Sequence, residues 1–200
     1  APTLTMDMVA PTVTLTSSAA AVAIGETAVI TATFTEAPTD FVITDLVSTA
    51  GAFSNFAVDA GDATVYTATF TPTADSTATD SAITIAVDSY TDAAGNNGVA
   101  GAAPTLTMDM VAPTVTLTSS ETAVAIGDTA VITATFSEAP TNFVVGDLVS
   151  ANGAFTDFTV TANPLVYTAT FTPTASSAAT DSAITVSIAS YTDAAGNNGV

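Results

Sequence analysis

The sequence predicts an all-β fold made of two tandem β-sandwiches, and three observations lead to that prediction. The chain is an internal duplication, and within each copy apolar residues alternate with threonine at a period of two. Residues that favour turns interrupt this alternation about every ten residues, as in a chain of short antiparallel strands. No window carries the periodicity of an amphipathic helix. Both copies are therefore interpreted as strands joined by turns.

The duplication is exact over long stretches. APTLTMDMVAPTVTLTSS begins at Ala1 and recurs from Ala103, a shift of 102 residues, whereas SYTDAAGNNGV begins at Ser89 and recurs from Ser190, a shift of 101. The one-residue difference falls where DAGD (59–62) becomes ANP (162–164). Such a length change is best tolerated at the tip of a hairpin. The chain therefore consists of two copies of one domain of about 100 residues.

Seven segments of each copy have the composition and spacing of strands. Threonine supplies the β-branched, outward half of most alternating runs. About seven short strands in about 100 residues predict an immunoglobulin-like Greek-key β-sandwich, although the Cys–Trp–Cys pattern of antibody domains is absent. In the first copy the predicted strands are A Pro11–Ser17, B Thr27–Phe34, C Phe41–Val47, D Ala52–Val58, E Thr64–Phe70, F Ala82–Val87 and G Ala103–Asp109.

The position of strand G sets the predicted domain boundaries. Repeat 1 covers residues 9–109 and repeat 2 covers residues 110–200, which then lacks its own strand G. Residues 1–8 are the equivalent of strand G from a preceding repeat, followed by a linker. Two interpretations stay open: a fragment of one long repeat array, and a head-to-tail polymer completed by strand donation between chains. In either case Ala1–Asp7 is predicted to pair with strand F of the preceding unit, the equivalent of Ala183–Ile188.

The composition excludes several classes of function. The 200 residues contain 19 Asp and Glu but no Lys, Arg, His, Cys or Trp. Because Lys and Arg make the phosphate contacts of nucleic-acid binding, no nucleic-acid partner is expected. No apolar run approaches the roughly 18 residues of a membrane-spanning helix, so no membrane insertion is expected. No side chain can act as the base that activates a Ser or Thr nucleophile, so the chain is not expected to be an enzyme.

Acidic residues are predicted to converge at one end of each sandwich. In this topology the B–C and F–G loops lie beside the start of strand A. Oxygen ligands from such loops suit Ca²⁺, and a bound cation would relieve the repulsion between carboxylates that have no basic partner. The alternative is that Glu36 and Asp92 only cap turns. The predicted metal ligands are Asp7, Glu36, Asp92 and Asn96 in the first copy and Asp109, Glu138, Asp193 and Asn197 in the second.

Several of these segments together resemble a known family. VAPTVTLTSS, GETAVITATFTEAP, VYTATFTPT and SYTDAAGNNG are similar to the bacterial Ig-like repeats of giant surface adhesins of the RTX and biofilm-associated types. The most specific parts are TFTEAP (33–38), which recurs as TFSEAP (135–140), and the YTDAAGN that ends each copy. The resemblance covers the whole chain twice. It implies a seven-stranded sandwich repeated many times, exported to the bacterial cell surface and often stiffened by calcium at the joints between domains.

Three functions are consistent with these observations. The leading hypothesis is an extender or stalk repeat of a secreted bacterial surface adhesin or filament, with neighbouring copies of the repeat as head-to-tail partners. The alternatives are a self-assembling extracellular filament subunit joined by donor-strand pairing, and an adhesive module that binds a glycan or protein on some other surface. A binding module would expose a flat aromatic or threonine array, or its two copies would differ in their loops.

Overall fold

The structure is a computed structural model that describes residues 3–101, 104–175 and 182–200. The chain separates into two compact units, Ala1–Val111 (unit 1) and Ala112–Val200 (unit 2). In chain order, the strands of unit 1 are β1 Val13–Ser17, β2 Ala21–Ala23, β3 Ala28–Phe34, β4 Leu46–Val47, β5 Gly51–Val58, β6 Val65–Pro72, β7 Thr84–Ile85 and β8 Thr107–Asp109, with a 3₁₀ turn at Ile43–Asp45 before β4.

The first layer of unit 1 is a four-stranded antiparallel sheet in the order β1-β3-β6-β5. Its central strand β3 has the alternation that the sequence predicts: Ala28, Ile30, Ala32 and Phe34 are buried, whereas Val29 and the threonines between them face outward. Since successive side chains of a strand point to opposite faces, one face of the sheet covers the core and the other carries threonine.

The second layer of unit 1 brings together the last strand, β8, and three short earlier strands. β4 pairs with β7 in antiparallel register, and Gly101 bridges to Ile85 on β7. β8 runs parallel to β2. The segment just before β8 also meets the chain before β7, since the Ser81 N–H donates to the Leu106 carbonyl over 3.1 Å. The predicted strand G therefore closes this layer, although its first residue, Ala103, lies outside the described residues.

An aromatic cluster links the two layers of unit 1. The ring centroid of Phe34 on β3 lies 4.8 Å from that of Phe41 and 4.9 Å from that of Tyr90, both in edge-to-face contact. Phe41 also packs edge-to-face on Tyr66 at 5.2 Å. Such contacts stabilise a core beyond the area that they bury, and they replace the disulfide that a chain without cysteine cannot form.

Unit 2 repeats this architecture with one difference. Its four-stranded sheet has the equivalent strand order, a short antiparallel pair corresponds to β4 and β7, and Phe136 packs against Phe143 and Tyr191. Among the described residues of unit 2, however, no strand corresponds to β2 or β8. In chain order the strands of unit 2 are β9 Val115–Ser119, β10 Ala130–Phe136, β11 Leu148–Ser150, β12 Gly153–Val160, β13 Val166–Pro173 and β14 Ile184–Val186, with a 3₁₀ turn at Val145–Asp147 before β11.

The prediction of tandem immunoglobulin-like β-sandwiches is confirmed, but the predicted strand C is wrong over its first part. Phe41–Val47 contains a 3₁₀ turn and then only the two residues of β4. The cause is local, because the Asp45 carboxylate accepts a hydrogen bond from the Val42 N–H over 2.8 Å and so fixes a turn. Strand F is also shorter than predicted, and β2, which is only three residues long, was not predicted.

Each four-stranded sheet contains an irregularity in one edge strand, which is β5 in unit 1 and β12 in unit 2. The register of β5 on β6 shifts between Ser54 and Ala57, and Asn55 has a φ of 52°. In unit 2 the register of β12 on β13 shifts between Thr156 and Thr159, and Asp157 has a φ of 51°. Asn and Asp tolerate this left-handed backbone better than most residues, so each copy contains a β-bulge at the same place.

Candidate functional site

Three acidic side chains meet at one end of unit 1. Carboxylate oxygens of Asp7, Glu36 and Asp92, here called the acidic cluster, all lie within 4.8 Å of one another. Asp7 precedes β1, Glu36 follows β3 and Asp92 follows β7, so three separate segments supply the cluster. Asp7 is exposed, Glu36 is half-buried and Asp92 is only 2% exposed.

Asp92 is held in a tight turn by its own loop. Its Oδ1 accepts hydrogen bonds from the backbone N–H groups of Ala94 at 2.8 Å and Asn96 at 2.9 Å, and its Oδ2 accepts one from Asn96 Nδ2 at 2.8 Å. Burial acts to raise the pKa of Asp92, but the hydrogen bonds from the Asn96 side chain and from the backbone of Asn96, Ala94 and Gly95 outweigh it and lower the pKa. Asp92 is therefore a fixed carboxylate that also caps the turn.

Asn96 forms hydrogen bonds with the segment that precedes β1. Besides its bond to Asp92, its Nδ2 donates to the backbone carbonyls of Asp7 at 3.3 Å and Val9 at 3.4 Å. The Asp7 carboxylate in turn accepts the Val9 N–H over 3.1 Å. The Nδ2 of Asn96 thus donates to Asp92 and positions the entering chain, and the role of metal ligand that the sequence predicts for Asn96 stays a prediction.

Glu36 is the member of the cluster whose charge is least well compensated. Burial raises its pKa, and the neighbouring negative charges of Asp7 and Asp92 raise it further. The 200 residues contain no Lys, Arg or His that could pair with any of the three. A hard cation with oxygen ligands is the partner that this donor set suits.

The loop that carries Glu36 is tied to the loop that carries Asp92. The Asp40 Oδ1 accepts the Thr91 N–H over 2.7 Å, and the Thr39 N–H donates to the Thr91 carbonyl over 2.9 Å. In unit 2 an asparagine replaces Asp40, and Asn142 Oδ1 accepts the Thr192 N–H over 2.8 Å. Sequence reasoning missed this pair. The Asp-to-Asn exchange between the copies is the available signal, because only the acceptor oxygen is common to both residues.

The buried side chain of Tyr90 holds two segments together at the same end of unit 1. Its buried hydroxyl lies 2.8 Å from the Val99 carbonyl and 3.1 Å from the Pro11 carbonyl, and both oxygens are acceptors for its proton. Burial raises the pKa of Tyr90, against the opposing effect of the bond to Val99. Gly98 covers the ring so closely that a Cβ there would overlap it. The start of β1 and the loop after β7 are therefore held together.

The equivalent loop of unit 2 has the same internal geometry. Asp193 Oδ1 accepts the N–H groups of Ala195 at 2.8 Å and Asn197 at 2.9 Å, and Asp193 Oδ2 accepts Asn197 Nδ2 at 2.8 Å. Asp193 and Asn197 are buried and Glu138 is half-buried. Asp109 lies in unit 1, on β8, where its carboxylate accepts the Val111 N–H over 3.2 Å.

Comparison with known families decides the identity of the two copies. A family model described as a bacterial Ig-like domain matches residues 7–108 and again residues 109–200. The chain belongs to the bacterial Ig-like domain family. The resemblance inferred from the sequence is thereby confirmed. A comparison with curated proteins found no match.

Family membership fixes the general character of the chain. Bacterial Ig-like domains are typically non-catalytic structural modules and are often found in surface proteins, and this chain is a tandem pair of such domains. No helix in the described part of the chain is long and apolar enough to cross a membrane.

Proposed function

We propose that the two Ig-like domains are extender modules of a secreted bacterial surface protein and give it reach and stiffness rather than catalysis. The observation that carries the proposal is the duplication of a whole sandwich, since both copies have the same sheet order and the same aromatic cluster. A protein that gains length by adding domains needs modules of this kind. The chain also has no His or Lys, the residues that usually activate a Ser or Thr nucleophile.

Calcium is the proposed cofactor of these modules. In unit 1 the ligands would come from Asp7, Glu36 and Asp92, with Asn96 as the residue that holds the entering chain in place. The second copy of the sequence has Asp109, Glu138, Asp193 and Asn197 at the equivalent positions. A bound ion would join the entering segment to two loops, and so it would stiffen the chain where it enters a domain.

Calorimetric titration of the full chain with Ca²⁺ tests the cofactor. Binding is expected at dissociation constants of about 10⁻⁴–10⁻³ M, the range of extracellular calcium modules. Glu36→Gln should remove one site, because it deletes a ligand charge without changing the shape of the side chain. Asp75→Asn is the matched control, since it deletes one charge at an exposed position after β6, and the antiparallel pairing of β3 with β6 puts that position at the opposite end of the sheet from Glu36. Equal titrations of all three chains, or no heat at millimolar calcium, would show that the acidic cluster holds no calcium.

Single-molecule stretching tests the extender role itself. Each sandwich should resist force and then release roughly 30 nm of chain in one step, from about 90–100 residues at full extension. Calcium should raise the force of one step in the native chain and not in the Glu36→Gln chain. Unfolding at the lowest measurable force, with or without calcium, would contradict a load-bearing module.

One observation favours direct adhesion as a second candidate. The outer face of the large sheet of unit 1 carries cross-strand threonine pairs, among them Thr14 with Thr33 and Thr31 with Thr67. Such a flat, uncharged hydroxyl array could contact a glycan. Replacing Thr31 and Thr67 by Val should abolish retention on immobilised polysaccharide if this face binds, and should leave it unchanged if the module only extends.

A further inference from the structure

Three strands of unit 1 run in the same direction. β1 is antiparallel to β3, and its first residue, Val13, pairs with Phe34 at the end of β3. A tight turn, in which the Glu26 N–H donates to the Ala23 carbonyl over 3.0 Å, reverses the chain between β2 and β3, so β2 runs with β1. β8 is parallel to β2. The chain therefore enters β1 at one end of unit 1 and leaves β8 at the other end.

β8 is bonded to the rest of unit 1 along both of its edges. On one side it lies in parallel register with β2 over three residues. On the other side it meets the chain that precedes β7, where the Met108 N–H donates to the Thr79 carbonyl over 3.1 Å. The Ser81 N–H donates to the Leu106 carbonyl over the same distance. β8 is therefore an inner strand of its layer, and it cannot move along its own axis without breaking bonds on both sides.

Apolar side chains attach β8 to the core as well. Leu106 is 0% exposed, Met108 is 5% exposed and Met110 is 2% exposed, and all three belong to the core cluster of unit 1. A displacement of β8 along its axis would have to draw these side chains out of their places while the backbone bonds break. Side chains in a close-packed core resist such a displacement, because each one makes many short contacts with its neighbours.

We propose that β8 is the strand that keeps unit 1 folded under tension, because a pull along the chain loads its bonds in shear. Tension acts backward on the start of β1 and forward on the end of β8, so it draws β8 along its own axis past β2. The hydrogen bonds of a sheet run across the strands, so the bonds on both edges of β8 share the load and must break together. This inference rests on the proposed extender function and names the part of the fold that provides the resistance.

A pull applied to the same end of both strands would act differently. Ala23 at the end of β2 is the register partner of Asp109 at the end of β8, and Ile24 and Met110 line the same small cavity. Tension between Ile24 and Val111 would therefore peel β8 away from β2 from this end. The bonds would then break one after another, and each would carry the load alone.

Single-molecule stretching of the full chain in two pulling directions tests the inference. The chain has no cysteine, so handles can be attached at pairs of introduced cysteines, with only unit 1 between them. Thr12→Cys with Val111→Cys applies shear, Ile24→Cys with Val111→Cys applies peeling, and all three positions are exposed. The rupture force should be several times higher in shear than in peeling. Urea unfolding of both double variants checks that their stabilities are equal, so that only the direction of the load differs.

Two substitutions that remove the same atoms separate the mechanical role of β8 from a general loss of stability. Leu106, next to β8, and Leu46, on β4, are both buried in the core cluster of unit 1. β4 pairs with β7 and is not one of the strands to which tension is applied. Leu106→Ala and Leu46→Ala are each introduced into the chain with the shear handles. For the same loss of free energy of unfolding, measured in urea, Leu106→Ala should lower the shear rupture force more than Leu46→Ala.

The outcomes distinguish this inference from the extender function on which it rests. Equal rupture forces in the two pulling directions would overturn it, and so would equal losses of force from the two leucine variants. Neither result would affect the extender function, because the sandwich would still resist tension. Rupture at the lowest measurable force in both directions would contradict the extender function and the role of β8 together.

Discussion

Unit 1 and unit 2 share their sheet order and their aromatic cluster, but Ile83 and Ile85 are buried in unit 1, whereas Ile184 and Val186 are half-exposed in unit 2. Ile24 and its equivalent Ile126 differ in the same direction, at 48% and 94% exposed. The difference lies on the side of the sandwich where β8 packs in unit 1. The four-stranded sheet and the aromatic cluster are thus common to both units, whereas the two units differ in the burial of the residues that pack against β8 in unit 1.

The comparison also shows that sequence identity does not fix burial. TLTMDMV is part of a core at residues 105–111 and is solvated at residues 3–9. An isolated extended segment cannot bury its apolar residues, so its environment depends on the sheet edge that receives it. Substitutions at equivalent positions of the two copies test this dependence.

The largest effect is expected from one substitution made at two identical positions. Leu106→Ala should lower the free energy of unfolding of unit 1 by about 2–5 kcal/mol, because it leaves a cavity in a closed core. Leu4→Ala should change it by less than about 0.5 kcal/mol. Urea unfolding of the full chain at a concentration where it is monomeric, followed by hydrogen exchange at β3 and β6, measures both. Equal effects would mean that burial does not distinguish the two segments.

A smaller loss of stability, similar in both units, is expected when alanine replaces the glycine that packs on Tyr90 or Tyr191. A Cβ at Gly98 would overlap the Tyr90 ring, and one at Gly199 would overlap the Tyr191 ring. Gly98→Ala and Gly199→Ala should each cost about 1–3 kcal/mol in the unit that carries the change. Gly146→Ala is the control, since a Cβ there meets nothing within 4 Å. Thermal unfolding of the three variants checks this, and a neutral Gly199→Ala would indicate that the open unit relaxes around its tyrosine.

The smallest effect is expected where the two copies differ naturally. Asp40→Asn reproduces the residue of unit 2 and should change the stability of unit 1 by less than about 0.5 kcal/mol, because the acceptor of the Thr91 N–H is kept. Asp40→Ala should cost about 1 kcal/mol, since that N–H loses its partner. Chemical denaturation of the two variants measures the difference. Equal losses would show that the charge of Asp40, not its oxygen, holds the loop.

The four-stranded sheet was predicted well from the sequence, because the alternation of apolar residues with threonine is typical of a strand that buries one face. Strands B, D and E were each placed within two residues of β3, β5 and β6. The prediction of strand C was wrong because two hydrogen bonds between Val42 and Asp45 fix a turn: the Asp45 carboxylate accepts the Val42 N–H and the Asp45 N–H donates to the Val42 carbonyl, which outweighs the propensity of FVITDLV for extended structure. The three residues of β2 were missed since a strand that short has no periodicity to detect.

The sequence predicted which segments supply the acidic cluster, but not the contacts that its side chains make. Topology brought the segments of Asp7, Glu36 and Asp92 to one end, and the structure places their oxygens within 4.8 Å. The detailed role of Asn96 was not predictable, because which atom of an amide faces a carboxylate depends on backbone positions that the sequence does not encode locally. The calcium assignment stays a prediction that titration will test.

The bulge at Asn55, repeated at Asp157, also bears on how such a chain avoids misassembly. β5 and β12 are edge strands, and a straight edge would offer its free backbone groups to the same edge of any neighbouring copy. Near-identical domains synthesised one after another face that hazard at high local concentration. A left-handed residue in the middle of each edge interrupts the row of backbone donors and acceptors, so these edges make poor templates for edge-to-edge aggregation.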